Sequence, residues 1–502
     1  MGRRKGSHFI ELISELPLIP VLALIVVLSI VFAAPDTSVS SCMVINSSDT
    51  YVLTSNLEGA PNSASPVSGT ACIKIAASNV TFDCNGFNIT NNGTGGTTYG
   101  ILLNGSVTNV TVKNCPQISS YTYGVYLHTG SNNNTLFNNT AINSFYSFRL
   151  SSSNSNNLTN NTAINSSSVG FYLSGSSSNI LTNNTAINAS FLLDSSSNSN
   201  ILANNADLNG SGFFISGSSS NTIANNTAFN TFFGAGFFLS GGSSSNTLTN
   251  NSAVNSTSYG FRVDSSSSNT LTNNSAINSS IAAFLLTFSA NFNTLTNNTG
   301  ANSPRGFFLS GSSSNSLTNN TAINSSLYGF HLQSSSNSNT FTSNTAANSS
   351  SYGFLLESSS NSNTLTSNTI SNSSLSGISI LDSNNTRLTN DHFYNNTIDF
   401  NISGTGIIVN LTNVIFDNPL GNLTNYTNLS LNDTVSSAYT IDHSTQPLTP
   451  PPSPAFAGKF VNITPSSGTV SIDSITWHWL DTDPGAGNES QFQLWKFNAS
   501  GW

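Results

Sequence analysis

A repeat constrains this chain more than any other feature. Residues 135–153 read TLFNNTAINSFYSFRLSSS and return as NLTNNTAINSSSVGFYLSGSSS, as TLTNNSAVNSTSYGFRVDSSSS and as SLTNNTAINSSLYGFHLQSSS. The apolar anchor of each copy falls at Leu136, Leu158, Leu181, Leu202, Ile223, Leu248, Leu271, Leu295, Leu317, Phe341, Leu365 and Leu388. Successive anchors lie 21 to 25 residues apart. A short fixed period of this kind makes each copy one coil of a solenoid, because a single copy cannot bury its apolar face alone.

Each copy holds three short apolar pieces between Asn, Ser and Gly turns: Leu271, then Ile277, then Phe261/Val263 or Phe284/Leu286. Phe330-His331-Leu332 alternates with period two, which marks a strand. Proline is almost absent from the copies, and no window has the period of an amphipathic helix. Three strands in about 23 residues predict an all-β chain, a parallel β-helix with triangular coils stacked about 4.8 Å apart. Leucine-rich repeats share the period but need an L-x-x-L-x-L-x-x-N framework that is missing here. Four apolar side chains per coil fall short of the cost of ordering it. Coil-to-coil hydrogen bonds must supply the rest, and the in-phase Asn161, Asn184, Asn205 and Asn226 predict an internal asparagine ladder.

The repeated N-T-L-T-N-N-T-A-I-N-S-S-x-Y-G-F-x-L resembles the right-handed parallel β-helix repeats of NosD-like proteins and of carbohydrate-binding and sugar-hydrolase β-helices, over residues 73–415. The resemblance implies a right-handed solenoid and an archaeal-type cell-surface setting. Its implied functions are glycan binding or adhesion, polysaccharide cleavage, and copper handling in a periplasm; the fold alone does not choose among them.

Residues 1–40 carry a targeting signal: Arg3, Arg4 and Lys5 precede an uncharged run over 16–34. That run nearly spans a bilayer at about 1.5 Å per residue. It predicts an anchor with its basic end inside, or a cleaved signal peptide, and export of the chain from Asp36 onward. Cys42, Cys72, Cys84 and Cys115 lie in a predicted cap and first coils, 41–115, and predict two disulfides with three connectivities open. Regular coils occupy 116–396, looser coils and a C-terminal cap 397–445, a polyproline linker 446–454, and a small β module 455–502. The module is similar to β-sandwich modules of archaeal surface proteins but has too few strands to close one. Asp481, Asp483 and Glu489 offer it either a calcium site or an ordinary acidic turn.

Only 6% of the 502 residues are charged and the net charge is −9, which excludes the basic stripe a nucleic-acid partner requires. In F-x-L, Phe and Leu point inward, so x points out. Down the stack x reads Tyr126, Arg149, Tyr172, Leu192, Phe214, Phe238, Arg262, Leu285, Phe308, His331, Leu355 and Ser379. Three readings stand: an exposed aromatic stripe for a glycan or envelope polymer, rows that merely stack well as strands, or a surface covered by a loop or the C-terminal module. For the first, the ligand-binding candidates are Tyr126, Arg149, Tyr172, Phe214, Phe238, Arg262, Phe308 and His331.

Two residues on, the next column holds His128, Asp194, Asp264 and Glu357. Asp194 and Asp264 are three coils apart, roughly 14 Å, and Asp264 and Glu357 four, roughly 19 Å. Glycosidase carboxylates need about 5–9.5 Å, so no catalytic pair is assigned and the chain is read as a non-enzyme. Arg262 and Asp264 form a surface ion pair. His8, His128, His331, His392, His443 and His478 are scattered, and Met1 and Met43 are the only methionines. No copper ligand set emerges, and no cofactor or metal is predicted. Sequons recur in the coils, as at Asn138, Asn160, Asn165, Asn183, Asn250, Asn278 and Asn324, some of them expected within the ladder. Occupied ones are expected mainly at Asn422, Asn425 and Asn428.

Overall fold

The structure, a computed structural model, describes residues 36–404, 407–418, 427–435, 439–442, 462–465 and 473–478. The run at 16–34, the linker 446–454, Asn422, Asn425 and the acidic turn at 481–489 lie outside these residues. Among the described residues no helix is long and apolar enough to cross a membrane.

Each coil contributes three strands to three parallel columns. In one coil they are Thr247–Thr249, Ser252–Val254 and Tyr259–Asp264. Each pairs in register with the next coil: Leu248 with Leu271, Ala253 with Ala276, Phe261 with Phe284. The short first and second strands are separated by an asparagine in the left-handed region, such as Asn250 at φ 54°. Asparagine tolerates that region because its side chain can bond locally.

The interior is built of like residues on like. Phe148, Phe171, Phe191, Phe213, Phe237, Phe261, Phe284, Phe307, Phe330 and Phe354 stack ring on ring, with centroids 4.5–4.9 Å apart. This is the strand spacing of a parallel sheet. In the second strand the inward residue is alanine: Ala276 is buried while Ile277 is only half-buried. The expectation that Ile277 belongs to the core is therefore corrected. Space decides it, since a Cβ added to Gly260 of the third strand would collide with the methyl of Ala276. Ala fills this position in most coils, and Ile370 and Phe393 take it opposite Gly353 and Gly377 near the far end.

The expected asparagine ladder is present. Asn161 N–H and Nδ2 donate to Asn184 Oδ1 (2.9 and 3.1 Å), and Asn184 repeats this with Asn205 (2.9 and 3.0 Å). The same residues bond back to main-chain carbonyls, as Asn184 Nδ2 does to Leu158 O at 2.8 Å. A second buried ladder, unforeseen, runs through Asn156, Asn179, Asn200 and Asn221 one turn earlier in the coil. The first ladder ends on Asp391, whose Oδ1 accepts from Asn368 N–H and Nδ2 and whose Oδ2 accepts from Thr389 N–H. At this last rung Asp391 presents oxygens to every donor that reaches it, and burial pushes its carboxyl up to about 7 against those bonds.

Cys42 bonds Cys72 and Cys84 bonds Cys115, resolving the open connectivity. Each bridge joins neighbouring coils at the register points Val44–Lys74 and Asp83–Lys113. Each closes a loop of 30 or 31 residues. Replacing the pair Cys84 and Cys115 by serine is expected to cost about 3–4 kcal/mol on loop-entropy grounds. Denaturant unfolding with and without reductant checks it.

At the other end the stack turns antiparallel. Val409–Asn418 pairs with both of the last first- and second-column strands and then antiparallel with Thr427–Val435. Ser474–His478 adds to that strand, and Asn462–Pro465 adds to Tyr439–Asp442 on the third column. The described pieces of residues 455–502 thus extend the solenoid's own sheets.

Candidate functional site

The third strand carries the side chains of interest, because it is the longest and leaves its outer positions free of turns. Tyr259, Arg262 and Asp264 show its geometry. Gly260 and Phe261 both face the interior, so the strand bends between them and Tyr259 shares the outer face with Arg262. Two columns therefore stand beside the outer column of F-x-L, where one, two residues on, was foreseen. The second, missed by period-two counting, holds Tyr99, Tyr123, Tyr146, Tyr259, Arg305, Tyr328 and Tyr352. Its signal was the Y-G-F of the repeat itself.

The foreseen column aligns in register: Tyr126 beside Arg149, Arg149 beside Tyr172, Phe214 beside Phe238, Phe238 beside Arg262, Phe308 beside His331. It is less bare than expected. Arg149, Tyr172, Phe214, Phe238, Arg262 and Phe308 are half-buried, whereas Tyr126, Leu285, His331, Leu355 and Ser379 are buried. For Tyr126 and His331 the physical cause is the unforeseen column: Tyr99 and Tyr123 stack on Tyr126, and Tyr328 and Arg305 contact His331.

Three arginines organise the face. Arg149 lies 5.0–5.6 Å from the ring centres of Tyr123, Tyr126, Tyr146 and Tyr172, and its Nη1 donates to Tyr123 Oη at 3.1 Å. Such cation–π contacts hold a guanidinium without a carboxylate partner. Tyr172 Oη donates to Asp194 Oδ2 at 2.8 Å. Burial, then this bond, holds the Tyr172 hydroxyl above its ordinary range. Asp194 Oδ1 and Arg149 Nε are buried with no hydrogen-bond partner. Arg262 lies over Phe238 (4.7 Å) and Tyr259 (5.3 Å), and its Nε donates to both Asp264 oxygens at 2.9 Å. Asp264 is only 9% exposed, so the pair predicted as a surface one is sunk between rings.

The third cluster is a relay. Arg305 Nε donates to His331 Nδ1 at 3.1 Å, and His331 Nε2 meets Glu357 Oε1 at 2.9 Å. A guanidinium has no acceptor, so Nδ1 must be the bare nitrogen and the ring proton sits on Nε2, donated to the carboxylate. The imidazole also lies parallel to Phe308 at 4.8 Å and is 2% exposed. Burial, with Arg305 opposing and Glu357 favouring the cation, holds His331 below its ordinary pKa. It should stay neutral in the fold under mildly acidic conditions, and its share of stability is lost as pH falls below about 6.5, where the unfolded imidazole gains a proton. NMR titration of the ring signals checks this; an ordinary midpoint would contradict the relay.

Asp194, Asp264 and Glu357 sit in separate clusters, three and four coils apart by register. Among the described residues no group of three or more His, Cys, Asp or Glu side chains is placed to hold a metal ion. The coil sequons Asn138, Asn160, Asn165, Asn183, Asn250, Asn278 and Asn324 are exposed, not in the buried ladders as expected for some of them; the ladder residue is the next asparagine along in N-N-T. Asn428 falls in the antiparallel strand Thr427–Val435.

The family model for the right handed beta helix region matches residues 99–253, 242–393 and 306–445, well over half of the chain. The chain belongs to the right-handed β-helix family. No curated protein sequence matches it. Among solved structures, this β-helix is similar to the mannuronan C-5 epimerase AlgE4 A-module of Azotobacter vinelandii, with 14% identity, 71% of this chain and 90% of that one covered, and a TM-score of 0.37. It is similar also to a mutant of the periplasmic alginate epimerase AlgG (10% identity, 64% and 77% covered, TM-score 0.33). A third is a variant of the catalytic domain of a GH87 alpha-1,3-glucanase, in complex with nigerose (14%, 71% and 63%, 0.32). Likeness this distant says nothing about what the β-helix does.

Proposed function

We propose that this protein is an exported, non-catalytic rod that binds polysaccharide along the outer face of its third strand column. The observation that carries the reading is the pair of adjoining columns of Tyr, Phe and Arg, with half-buried members such as Phe214 and Phe238 stacked 4.9 Å apart from coil to coil and Arg262 lying over Phe238. Flat rings with hydrogen-bonding edges suit sugar rings. Two disulfides support an oxidising compartment, and the apolar run at 16–34 supports export with or without anchoring at the cell surface.

Cleavage is the second reading. The Arg305–His331–Glu357 relay and the Tyr172–Asp194 bond favour it, since both hold a proton at a defined atom. Against it, the acids lie too far apart for a glycosidase pair. Glycan-array binding by the full chain, lost in Phe214→Ala/Phe238→Ala, is the expected result. Polysaccharide cleavage abolished by Asp264→Asn or Glu357→Gln would replace this reading with the enzymatic one.

A further inference from the structure

We propose that Phe288 and Phe292 form a stacking subsite at the edge of this face, taking the apolar side of a pyranose ring. The subsite rests on the glycan-binding reading and localises it. Strand Ala282–Thr287 ends on Thr287, whose neighbours in register are Asp264 and Ser310. Phe288 comes directly after it, so its loop borders the face beside Arg262 and Phe308.

Both phenylalanines have left-handed backbones, φ 51° for Phe288 and 56° for Phe292. A bulky residue there is an outlier, and such strain gathers at functional positions. The corresponding positions in other coils are Ser195, Ser334 and Ser358 for the first, and Ser199, Ser338 and Ser362 for the second. Every one of those is left-handed too, so the loop shape is general and only the rings are peculiar to this coil. The rings are 66% and 65% exposed, while the core position between them is filled by Ala290. They add no packing and cost strain.

Nor is the loop slack. Ser289 N–H donates to Gly311 O (2.9 Å) and Phe292 N–H to Ser313 O (3.3 Å) on one side; Ser265 N–H reaches Thr287 O (3.2 Å) and Ser268 N–H reaches Asn291 O (3.1 Å) on the other. The main chain that presents the two rings is thus held between neighbouring coils, which lowers the entropy lost in ordering it on binding. No charged side chain lies in residues 287–293, so the recognised surface is a neutral one, the C–H face of a sugar.

The test uses the full chain and an array of glucan, mannan, xylan and polyuronate hexasaccharides, followed by titration of the strongest binder. Phe288→Ser/Phe292→Ser should weaken binding about tenfold or more while the melting temperature stays level or rises. Phe288→Tyr/Phe292→Tyr should keep affinity within roughly threefold. Unchanged affinity in the serine variant, or a fall in its melting temperature, would overturn the subsite. If Phe214→Ala/Phe238→Ala weakens binding and the serine variant does not, the subsite fails and the face stands. If neither weakens it, or the unaltered chain binds none of the sugars, both fail.

Discussion

Replacing Asn251 by alanine is expected to destabilise the β-helix by about 2–6 kcal/mol. Asn251 Oδ1 accepts from Asn226 N–H (2.9 Å) and Nδ2 (3.1 Å), and its own Nδ2 donates to Ile223 O (2.8 Å) and Asn274 Oδ1 (3.0 Å). All of these groups are buried. The substitution takes the side-chain partner from Asn226 N–H and Ile223 O, at about 1–3 kcal/mol each before relaxation, whereas Asn226 Nδ2 keeps Leu202 O and Asn274 Oδ1 keeps Asn251 N–H. Coils in a solenoid contact only their neighbours, so the break falls in mid-stack and should split one unfolding transition into two. Denaturant unfolding followed by circular dichroism measures both effects. A loss under about 1 kcal/mol would show that the ladder is filler.

The second large effect depends on pH. Asp207 stands where Ala186 and Ala228 flank it in register, inside the coil and wholly buried. Its carboxylate accepts from Gly210 N–H at 3.2 Å and from the Gly212 amide, and so serves the shortened turn after its strand, while Oδ2 has no partner. A side chain at position 210 would strike Ala189 O, so the turn needs its glycine. Burial pushes Asp207 up to about 8 from 3.8 against those two amide bonds. The folded state therefore keeps its proton while the unfolded carboxyl loses it above about pH 4. Stability from this group is intact below that pH and drains away as pH rises through about 8. Asp207→Asn keeps an acceptor for Gly210 and removes the titration. Its stability should match the parent near pH 4 and exceed it by about 3–5 kcal/mol at pH 8. Parallel pH profiles for the two chains would contradict this.

How much of this was legible depended on what the repeat registers. A side chain recurring every coil reveals its column, so Leu248, Phe261 and Asn226 were placed in the sequence alone. Which face a three-residue strand turns inward was not legible, because Ala276 and Ile277 differ only by the width of the coil opposite Gly260. Tyr259 and Arg262 defeated period-two counting, since the strand bends at Gly260 and brings residues three apart onto one face. The pairing of Cys42 with Cys72 depends on which coils touch, and four cysteines do not encode that. The Arg305–His331–Glu357 relay joins three coils and three columns, one of them unforeseen. His331 was thus placed in the stripe as a ligand-binding candidate, without its two partners.

The most direct measurement is a crystal structure of the full chain soaked with the hexasaccharide it binds best. An intact sugar lying over Phe214, Phe238 and Arg262, one end on Phe288 and Phe292, is the predicted result. A cleaved sugar beside Asp264 or Glu357, or a sugar bound on the first or second strand column, would contradict it.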